Sequence, residues 1–205
     1  IVRGEKIAFE KQANLVIYGM NGKAITARSE NQQKLVNSFD ENDLVFAVGP
    51  AGSGKTYIAI ALAVRALKNK QARRLILSRP AVEAGEKLGF LPGEMKDKLD
   101  PYLQPLYDAL QEMIPAVKLK EYMENNTIQI APLAFMRGRT LNDAIIILDE
   151  AQKTTTHQIK MFLTRLGTNA KMIVTGDVTQ IDLPPTMKSG LVQAMEILKH
   201  VPGIG

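Results

Sequence analysis

The 205-residue sequence contains no cysteine and no tryptophan, and it has only two histidines. Without cysteine the chain has neither a disulfide framework nor a thiolate metal site, which fits a reducing compartment. Two histidines also leave little basis for a histidine-built zinc centre. The sequence has no run of about 18 apolar residues, the length that a transmembrane helix needs, so we expect no membrane span.

The remaining composition is that of an ordinary globular domain, with 45% hydrophobic, 23% charged and 5% aromatic residues. This length is enough for one α/β domain with a sizeable core. Lysine and arginine number 26 against 21 acidic residues, for a net charge of +5. Such an excess fits either a nucleic-acid partner or a solvated basic surface. The first residues lack a secretory leader pattern and an initiator methionine, so we expect a cytoplasmic protein of which this chain is a portion.

The most informative motif occupies residues 49–56 and fits the G-x-x-x-x-G-K-[ST] pattern of a phosphate-binding loop. Its residues are Gly49, Pro50, Ala51, Gly52, Ser53, Gly54, Lys55 and Thr56. Residues 44–48 before it are apolar and strand-like, and residues 58–64 after it predict a buried helix. Backbone N–H groups of such a loop bind phosphates at the helix N-terminus. Lys55 can reach the β- and γ-phosphates, and the Thr56 hydroxyl can ligate Mg²⁺.

Apolar strand patterns alternate with helical ones along the chain, which predicts an α/β fold with a mainly parallel sheet covered on both faces. We predict strands at 44–48, 75–78, 127–131, 144–148 and 171–175, and helices after Ser29 and at 101–113, 156–166 and 189–200. Gly19 to Gly22 predicts the turn of an N-terminal hairpin. We therefore predict an N-terminal extension at 1–28 and one domain at 29–205.

Carboxylates and polar residues follow these strands at the sheet edge where ligands bind. Asp149 and Glu150 follow the apolar strand 144–148, so Asp149 can hold Mg²⁺ with Thr56 and Glu150 can activate a water. The alternative is a pair that caps a helix N-terminus. Gln180 can contact a γ-phosphate or the attacking water, and its alternative is an ordinary polar turn.

Several strings in the sequence resemble known ATPases. Residues 149–152 (Asp-Glu-Ala-Gln) and 176–180 (Gly-Asp-Val-Thr-Gln) resemble motifs of the first RecA-like domain of superfamily 1 helicases. Residues 78–93, 131–141 and 161–165 closely resemble the PhoH family of bacterial ATPases. The resemblance covers residues 26–205, and these long strings are far more specific than the phosphate loop alone.

The resemblance implies a three-layer RecA-like P-loop domain that binds ATP and Mg²⁺ in the cytoplasm. It also suggests an RNA-directed activity and a link to phosphate starvation. By the same resemblance, Gln32 is the glutamine that reads adenine, because an amide can pair with two atoms of the adenine edge. Gln33 is the competing assignment, and a surface helix glutamine is the structural alternative.

By comparison with a working helicase, we expect this sequence to lack the second RecA-like domain and, with it, the usual arginine finger. Since an arginine supplied in trans contributes much of phosphoryl-transfer catalysis, we expect slow hydrolysis or a homo-oligomer such as a hexameric ring. The candidate finger residues are Arg79, Arg137, Arg139 and Arg165. Each has an alternative as a surface or structural arginine.

The sequence leads to one principal hypothesis and two alternatives. The principal one is an ATPase that acts on RNA or single-stranded nucleic acid, with backbone contacts from loops 82–98 and 137–139. Phe90 and Phe135 are candidates for base stacking, although a phenylalanine in such a place more often packs. The alternatives are an ATP-dependent oligomeric switch without motor activity, and a small-molecule kinase, which the adjacent Asp149 and Glu150 disfavour.

Overall fold

The computed structural model describes residues 14–80, 101–186 and 188–205. The strands are β1 (Leu15–Tyr18), β2 (Ala24–Thr26), β3 (Leu44–Val48), β4 (Arg74–Arg79), β5 (Ile128–Pro132), β6 (Ala144–Leu148) and β7 (Lys171–Gly176). The helices are α1 (Glu30–Glu41), α2 (Lys55–Lys68), α3 (Gln104–Met113), α4 (Ala116–Glu124), α5 (Thr156–Leu163) and α6 (Gly190–Leu198). Residues 1–13 of the predicted extension, the predicted loop 82–98 and Phe90 within it lie outside the described residues.

The central sheet has five strands in the order β3-β7-β6-β4-β5, and every pair is parallel. Its register brings the carboxyl ends of neighbouring strands together, with Val48 beside Gly176 and Ser78 beside Leu148. Polar residues that follow different strands therefore meet at one edge. This arrangement confirms the predicted α/β fold with a mainly parallel sheet.

Helices cover both faces of the sheet, and β6 shows why its sequence is apolar throughout. Ile145 and Ile147 join a core with α2, whereas Ile146 and Leu148 join a second core with α5 and α6. Since consecutive side chains of a strand point to opposite faces, a strand between two helical layers needs apolar residues at every position. The continuous run at 144–148 follows from this burial.

Two helices begin where side chains satisfy the free N–H groups of the first turn. The Ser29 hydroxyl accepts a hydrogen bond from the backbone N–H of Gln32, as its position before the helical pattern predicts. Thr155 and Gln158 form a capping box at the start of α5. This helix ends at Leu163, three residues before the predicted end, because Arg165 N–H bonds to the Phe162 carbonyl in a tighter turn.

The sequence reasoning did not predict α4, which connects α3 to β5. Among its residues only Leu119 is buried, and its N-cap, Pro115, offers no side-chain capping bond. Lysines on both sides of Leu119 give a nearly alternating pattern. The helix therefore carries neither a wide apolar face nor a start signal, which are the two features that reveal a helix in a sequence.

The predicted N-terminal hairpin is present, since β1 and β2 pair antiparallel around a 3₁₀ turn at Met20–Gly22. Asn21 in that turn has φ +55°, a conformation that asparagine tolerates better than most residues. Val16, Ile17 and Ile25 pack in the same core as α2. At the opposite end of the described chain, Gly205 exchanges backbone hydrogen bonds with Leu44 and Phe46 of β3.

No helix within the described ranges combines the length and apolar character needed to cross a membrane.

Candidate functional site

The phosphate loop connects β3 to the N-terminus of α2. Gly52 and Gly54 have φ of +77° and +78°, which side chains with a Cβ rarely adopt. A Cβ on Gly54 would also lie 2.7 Å from the Gln32 amide nitrogen. Gly54 is the N-cap of α2 and supplies no side-chain cap, so no capping side chain competes with an anion for the first-turn N–H groups.

Contacts from three directions hold the loop in its curved path. The Gly49 N–H donates to the Gly176 carbonyl at 3.1 Å, which joins the loop to the end of β7. The Gln32 amide donates to the Ser53 carbonyl at 2.9 Å, and the Ala51 N–H donates to Asp177 Oδ2 at 3.1 Å. The Lys55 ammonium donates to the Pro50 carbonyl at 3.1 Å, so the lysine side chain lies back over the loop.

Asp149 lies at the end of β6, buried with 2% of its surface exposed. Its Oδ1 accepts hydrogen bonds from the Thr56 hydroxyl at 2.6 Å and from the Thr175 hydroxyl at 2.5 Å. Its Oδ2 accepts from Arg79 Nε at 2.8 Å and lies 2.7 Å from Arg79 Nη2. The carboxylate thus joins the phosphate-loop helix to the ends of β4, β6 and β7.

Thr56 and Asp149 fit the chemistry of a magnesium site. Both offer oxygen ligands, which Mg²⁺ prefers, and their side-chain oxygens already meet. The described residues contain no cluster of three or more acidic or histidine side chains suited to a metal. A phosphate-loop site does not need one, because phosphate oxygens and waters complete the magnesium shell.

Glu150 follows Asp149 but leaves the strand in a different direction. Its backbone has φ +59° and ψ +37°, the left-handed conformation that is uncommon for residues other than glycine. Its Oε2 accepts from the Gln152 amide at 2.6 Å and lies 3.7 Å from the Lys153 ammonium. Glu150 precedes the 3₁₀ turn Ala151–Lys153 without a side-chain capping bond, so the alternative of a helix cap gains no support.

Gln152 is a functional candidate that the sequence reasoning quoted within a motif but did not select. It is buried, with 1% exposed, and its Nε2 donates to Glu150 while its Oε1 accepts from the Asp177 N–H at 3.0 Å. One amide therefore connects the turn after β6 to the turn after β7. The sequence signal for Gln152 is its position two residues after Glu150. No pattern in the sequence indicates Asp177 as its second partner.

Asp177 organises the turn that contains Gln180. Its Oδ1 accepts hydrogen bonds from the Thr179 hydroxyl at 2.6 Å and from the Thr179 N–H at 2.9 Å. The Thr179 hydroxyl bond is the main reason that the pKa of Asp177 lies below its ordinary value, with backbone bonds and Lys55 acting in the same direction. The side chain of Gln180 is exposed, and its role as a sensor stays a prediction.

Gln32 lies between two cavities beside the phosphate loop. One, of about 670 Å³, is bounded by α1, β3 and Pro50, and the other, of about 440 Å³, is bounded by the hairpin and Tyr57. Gln32 Oε1 accepts from the Arg28 N–H at 2.7 Å, and its Nε2 donates to Ser53. An amide has two donors and two lone pairs, so one of each remains for a base.

Burial raises the pKa of Tyr57 to about 12, with a contribution from its bond to Glu112.

Comparison with known proteins places this arrangement in a family. A family model described as "PhoH-like protein" matches residues 24–205, nearly the whole chain. The chain belongs to the PhoH family. It is 60% identical over 183 residues to the PhoH-like protein of Bacillus subtilis (strain 168), a match that covers 89% of this chain and 57% of the relative. The family resemblance read from the sequence is confirmed.

PhoH family relatives from other bacteria match over a similar extent. Protein PhoH of Escherichia coli (strain K12) is 47% identical over 174 residues, which is 84% of this chain and 49% of that protein. The chain thus spans about half the length of the curated relatives it matches. Among solved structures, the UvsW helicase from bacteriophage T4 aligns over 92% of this chain and 64% of its own, with a TM-score of 0.53 and 14% identity. That likeness supports the fold of the PhoH family chain.

The arginines that the sequence offered as finger candidates have different surroundings in this PhoH family member. Arg79 is bound to Asp149 of its own chain, with 11% of its side chain exposed. Arg139 donates to Gln129 Oε1 at 3.1 Å, and Arg165 donates to the Thr164 hydroxyl at 3.1 Å. Arg137 is exposed on the loop after β5. Of these four, Arg79 is the one that touches the candidate site.

Proposed function

We propose that this chain binds ATP with Mg²⁺ and hydrolyses it, and that RNA or single-stranded nucleic acid regulates this activity. The observation that carries the proposal is the 2.6 Å hydrogen bond between Thr56 and Asp149. It joins the end of the phosphate loop to the end of β6, residues 93 positions apart in the chain. This pairing is the one that a magnesium–nucleotide site needs.

The side chains around that bond divide the work of hydrolysis. Residues 49–56 would hold the phosphates, Lys55 would leave the Pro50 carbonyl to contact the β- and γ-phosphates, and Thr56 and Asp149 would hold Mg²⁺. The metal, when bound, would neutralise phosphate charge. Glu150 would accept a proton from the attacking water, since the Gln152 bond fixes its carboxylate. Gln180 would read the γ-phosphate.

The nucleic-acid part of the proposal depends on the loop after β5, which leaves the same edge of the sheet. Phe135 is 53% exposed although it is a large apolar side chain, and Arg137, two residues later, is also exposed. An exposed aromatic ring and an arginine side chain can stack a base and contact a phosphate. Homo-oligomerisation belongs to the same proposal, since an arginine from a neighbour would complete the site.

A second candidate function is an ATP-dependent oligomeric switch without motor activity. The observation in its favour is that Arg79, the finger candidate that touches the site, is paired with Asp149 of its own chain. The protein would then bind ATP and change its assembly state, and nucleic acid would not accelerate turnover.

The ATPase proposal is tested by two substitutions with matched controls. Lys55→Ala should weaken ATP binding by at least about thirtyfold, as expected when one partner of a desolvated charge pair is lost. Glu150→Gln should bind ATP normally and lower kcat by about 10²- to 10⁴-fold. Lys120→Ala and Glu124→Gln on the exposed face of α4 should change neither. Normal turnover by Glu150→Gln would refute its assignment as the base.

The regulatory part is tested separately by measuring ATP turnover of the full-length protein with and without single-stranded RNA at low salt. A several-fold stimulation that Phe135→Ala and Arg137→Ala reduce would support coupling. Equal turnover with and without RNA, together with an ATP-dependent change in sedimentation, would favour the switch.

A further inference from the structure

The buried ion pair between Arg79 and Asp149 lies inside the candidate metal site. Two nitrogens of the guanidinium, Nε and Nη2, approach Oδ2 at 2.8 and 2.7 Å, while the Thr56 and Thr175 hydroxyls bond to Oδ1. Both oxygens of a carboxylate assigned to Mg²⁺ therefore have protein donors. A permanent positive charge already faces the carboxylate that would hold the metal.

Arg79 is fixed on its other side by Tyr102, which precedes α3. Its Nη1 donates to the Tyr102 carbonyl at 2.6 Å, and its guanidinium carbon lies 5.1 Å from the centre of the Tyr102 ring. With 11% of its side chain exposed, Arg79 is not a solvated surface arginine. Because the Tyr102 carbonyl and ring already hold the guanidinium in place, its pairing with Asp149 costs little further side-chain entropy.

The same ring is close to a second cation. The Lys153 ammonium lies 5.5 Å from the Tyr102 ring centre and 3.7 Å from Glu150 Oε2. Asp149 is therefore paired with Arg79 and Glu150 with Lys153, and both cations lie close to the Tyr102 ring. The contact with Asp149 is closer and more buried, so its cation has the larger electrostatic effect.

We propose that Arg79 is a built-in counter-ion of the metal carboxylate and that it sets the Mg²⁺ concentration at which the nucleotide site fills. This inference rests on the proposed function, since it takes Asp149 as the metal ligand. A guanidinium on Oδ2 lowers the negative charge that a divalent cation would meet at Oδ1. It also keeps the buried carboxylate from standing alone, which would be strongly destabilising. Arg79 is thus a positioning residue, and it is not a finger for a neighbouring subunit.

The test measures binding of Mg²⁺ alone, and binding of ATP over a Mg²⁺ titration, in Arg79→Met, Arg79→Gln and wild type. In Arg79→Met, the half-saturating Mg²⁺ for ATP binding should fall at least about tenfold, because one opposing charge beside the ligand is gone. Mg²⁺ without nucleotide should raise the unfolding temperature of this variant more than that of wild type. Arg74→Met is the matched control, because Arg74 begins the same strand and bonds to the Asn142 carbonyl at 3.2 Å.

Three outcomes would overturn the proposal. The first is a Mg²⁺ dependence of Arg79→Met within twofold of wild type and of Arg74→Met. If Arg79→Met does not fold, Arg79→Gln decides: its amide keeps an N–H donor for Oδ2 but carries no charge, so this variant should fold and need several-fold less Mg²⁺. An unchanged requirement in Arg79→Gln is the second. The third concerns the double variant Arg79→Met with Asp149→Asn. Asp149→Asn removes the unpaired buried charge, so it should recover the stability that Arg79→Met loses. A double variant that is no more stable than Arg79→Met alone contradicts the account.

The failure of the proposed function gives a different result. If Asp149→Asn alone leaves the Mg²⁺ dependence of ATP binding as in wild type, Asp149 is not the metal ligand and the proposed site is wrong. If Asp149→Asn removes that dependence and the Arg79 variants do not shift it, the site stands and only the counter-ion proposal fails.

Discussion

Two neighbouring groups of side chains share the edge of the sheet but differ in how firmly they are held. The metal-side cluster is Thr56, Arg79, Asp149 and Thr175, and the water-side cluster is Glu150, Gln152, Asp177 and Gln180. In the metal-side cluster, two hydroxyls and a guanidinium surround one buried carboxylate. In the water-side cluster, the Glu150 carboxylate accepts one hydrogen bond, from the Gln152 amide, and lies 3.7 Å from the Lys153 ammonium. Gln180 is exposed.

The difference arises from one backbone residue. Asp149 directly follows the buried strand β6 and is 2% exposed, whereas Glu150 enters the left-handed region and its side chain is 31% exposed. Such a conformation costs of order 1–3 kcal/mol for a residue other than glycine, and it persists where the surroundings fix it. A rigid carboxylate is suited to a metal, and a less enclosed one can reach a water. The comparison implies that changes in the two clusters affect different steps.

Among substitutions of the residues that support Asp149, Glu150 and the adjacent turns, the largest effect should come from the Gln152 amide, which joins the turns within the water-side cluster. Gln152→Leu removes the hydrogen bonds to both Glu150 and the Asp177 N–H, so Glu150, the proposed base, loses its orientation. We expect kcat to fall by about 10- to 10²-fold with a change in ATP affinity below about threefold. Steady-state kinetics with separate kcat and KM values measures this. An equal loss in affinity would show that the clusters are not separate.

A smaller effect should follow from Thr175→Val in the metal-side cluster. The substitution keeps the shape of a fully buried side chain but removes one donor to Asp149 Oδ1, whose other partners remain. The free energy of unfolding should fall by about 1–3 kcal/mol, the cost of a lost bond to a buried charged group. Denaturant unfolding measures this change, and Thr179→Val, which removes a hydroxyl donor to Asp177 of the other cluster, is the comparison. A variant as stable as wild type would mean that the Thr175 bond contributes nothing.

The smallest effect concerns acid stability and Asp177. Because its folded pKa is lowered, mainly by Thr179, folding favours the charged form. The stability that it contributes is full above the unfolded pKa and is lost as the pH falls through the folded value. Unfolding midpoints measured from neutral pH down to about pH 3 should therefore decline less steeply for Asp177→Asn than for wild type. Parallel curves would contradict this.

The sequence predicted the strands and the phosphate loop because their signals are local. Residues 44–48 and 144–148 are apolar runs that burial on both faces requires, and the glycines of 49–56 mark the loop. It also placed Thr56 and Asp149 in one site, through the rule that strand ends converge. These parts depend on neighbours in the chain or on a general property of parallel sheets.

The parts that the sequence did not predict depend on distant contacts or on weak local signals. The Arg79 pair with Asp149 spans 70 positions, and the left-handed backbone of Glu150 has no local mark such as glycine. The Gln152 contact with Asp177 spans 25 positions. Helix α4 shows one buried residue and no cap, so its pattern carries little information.

The most direct test of the division between the two clusters is equilibrium binding of a fluorescent ATP analogue over a Mg²⁺ titration, in Asp149→Asn and Glu150→Gln. Glu150→Gln should bind with the Mg²⁺ dependence of wild type, and Asp149→Asn should lose that dependence. The two variants remove one charge each from adjacent residues, so a general electrostatic effect would change both equally. Equal loss of Mg²⁺ dependence in both variants would contradict the account.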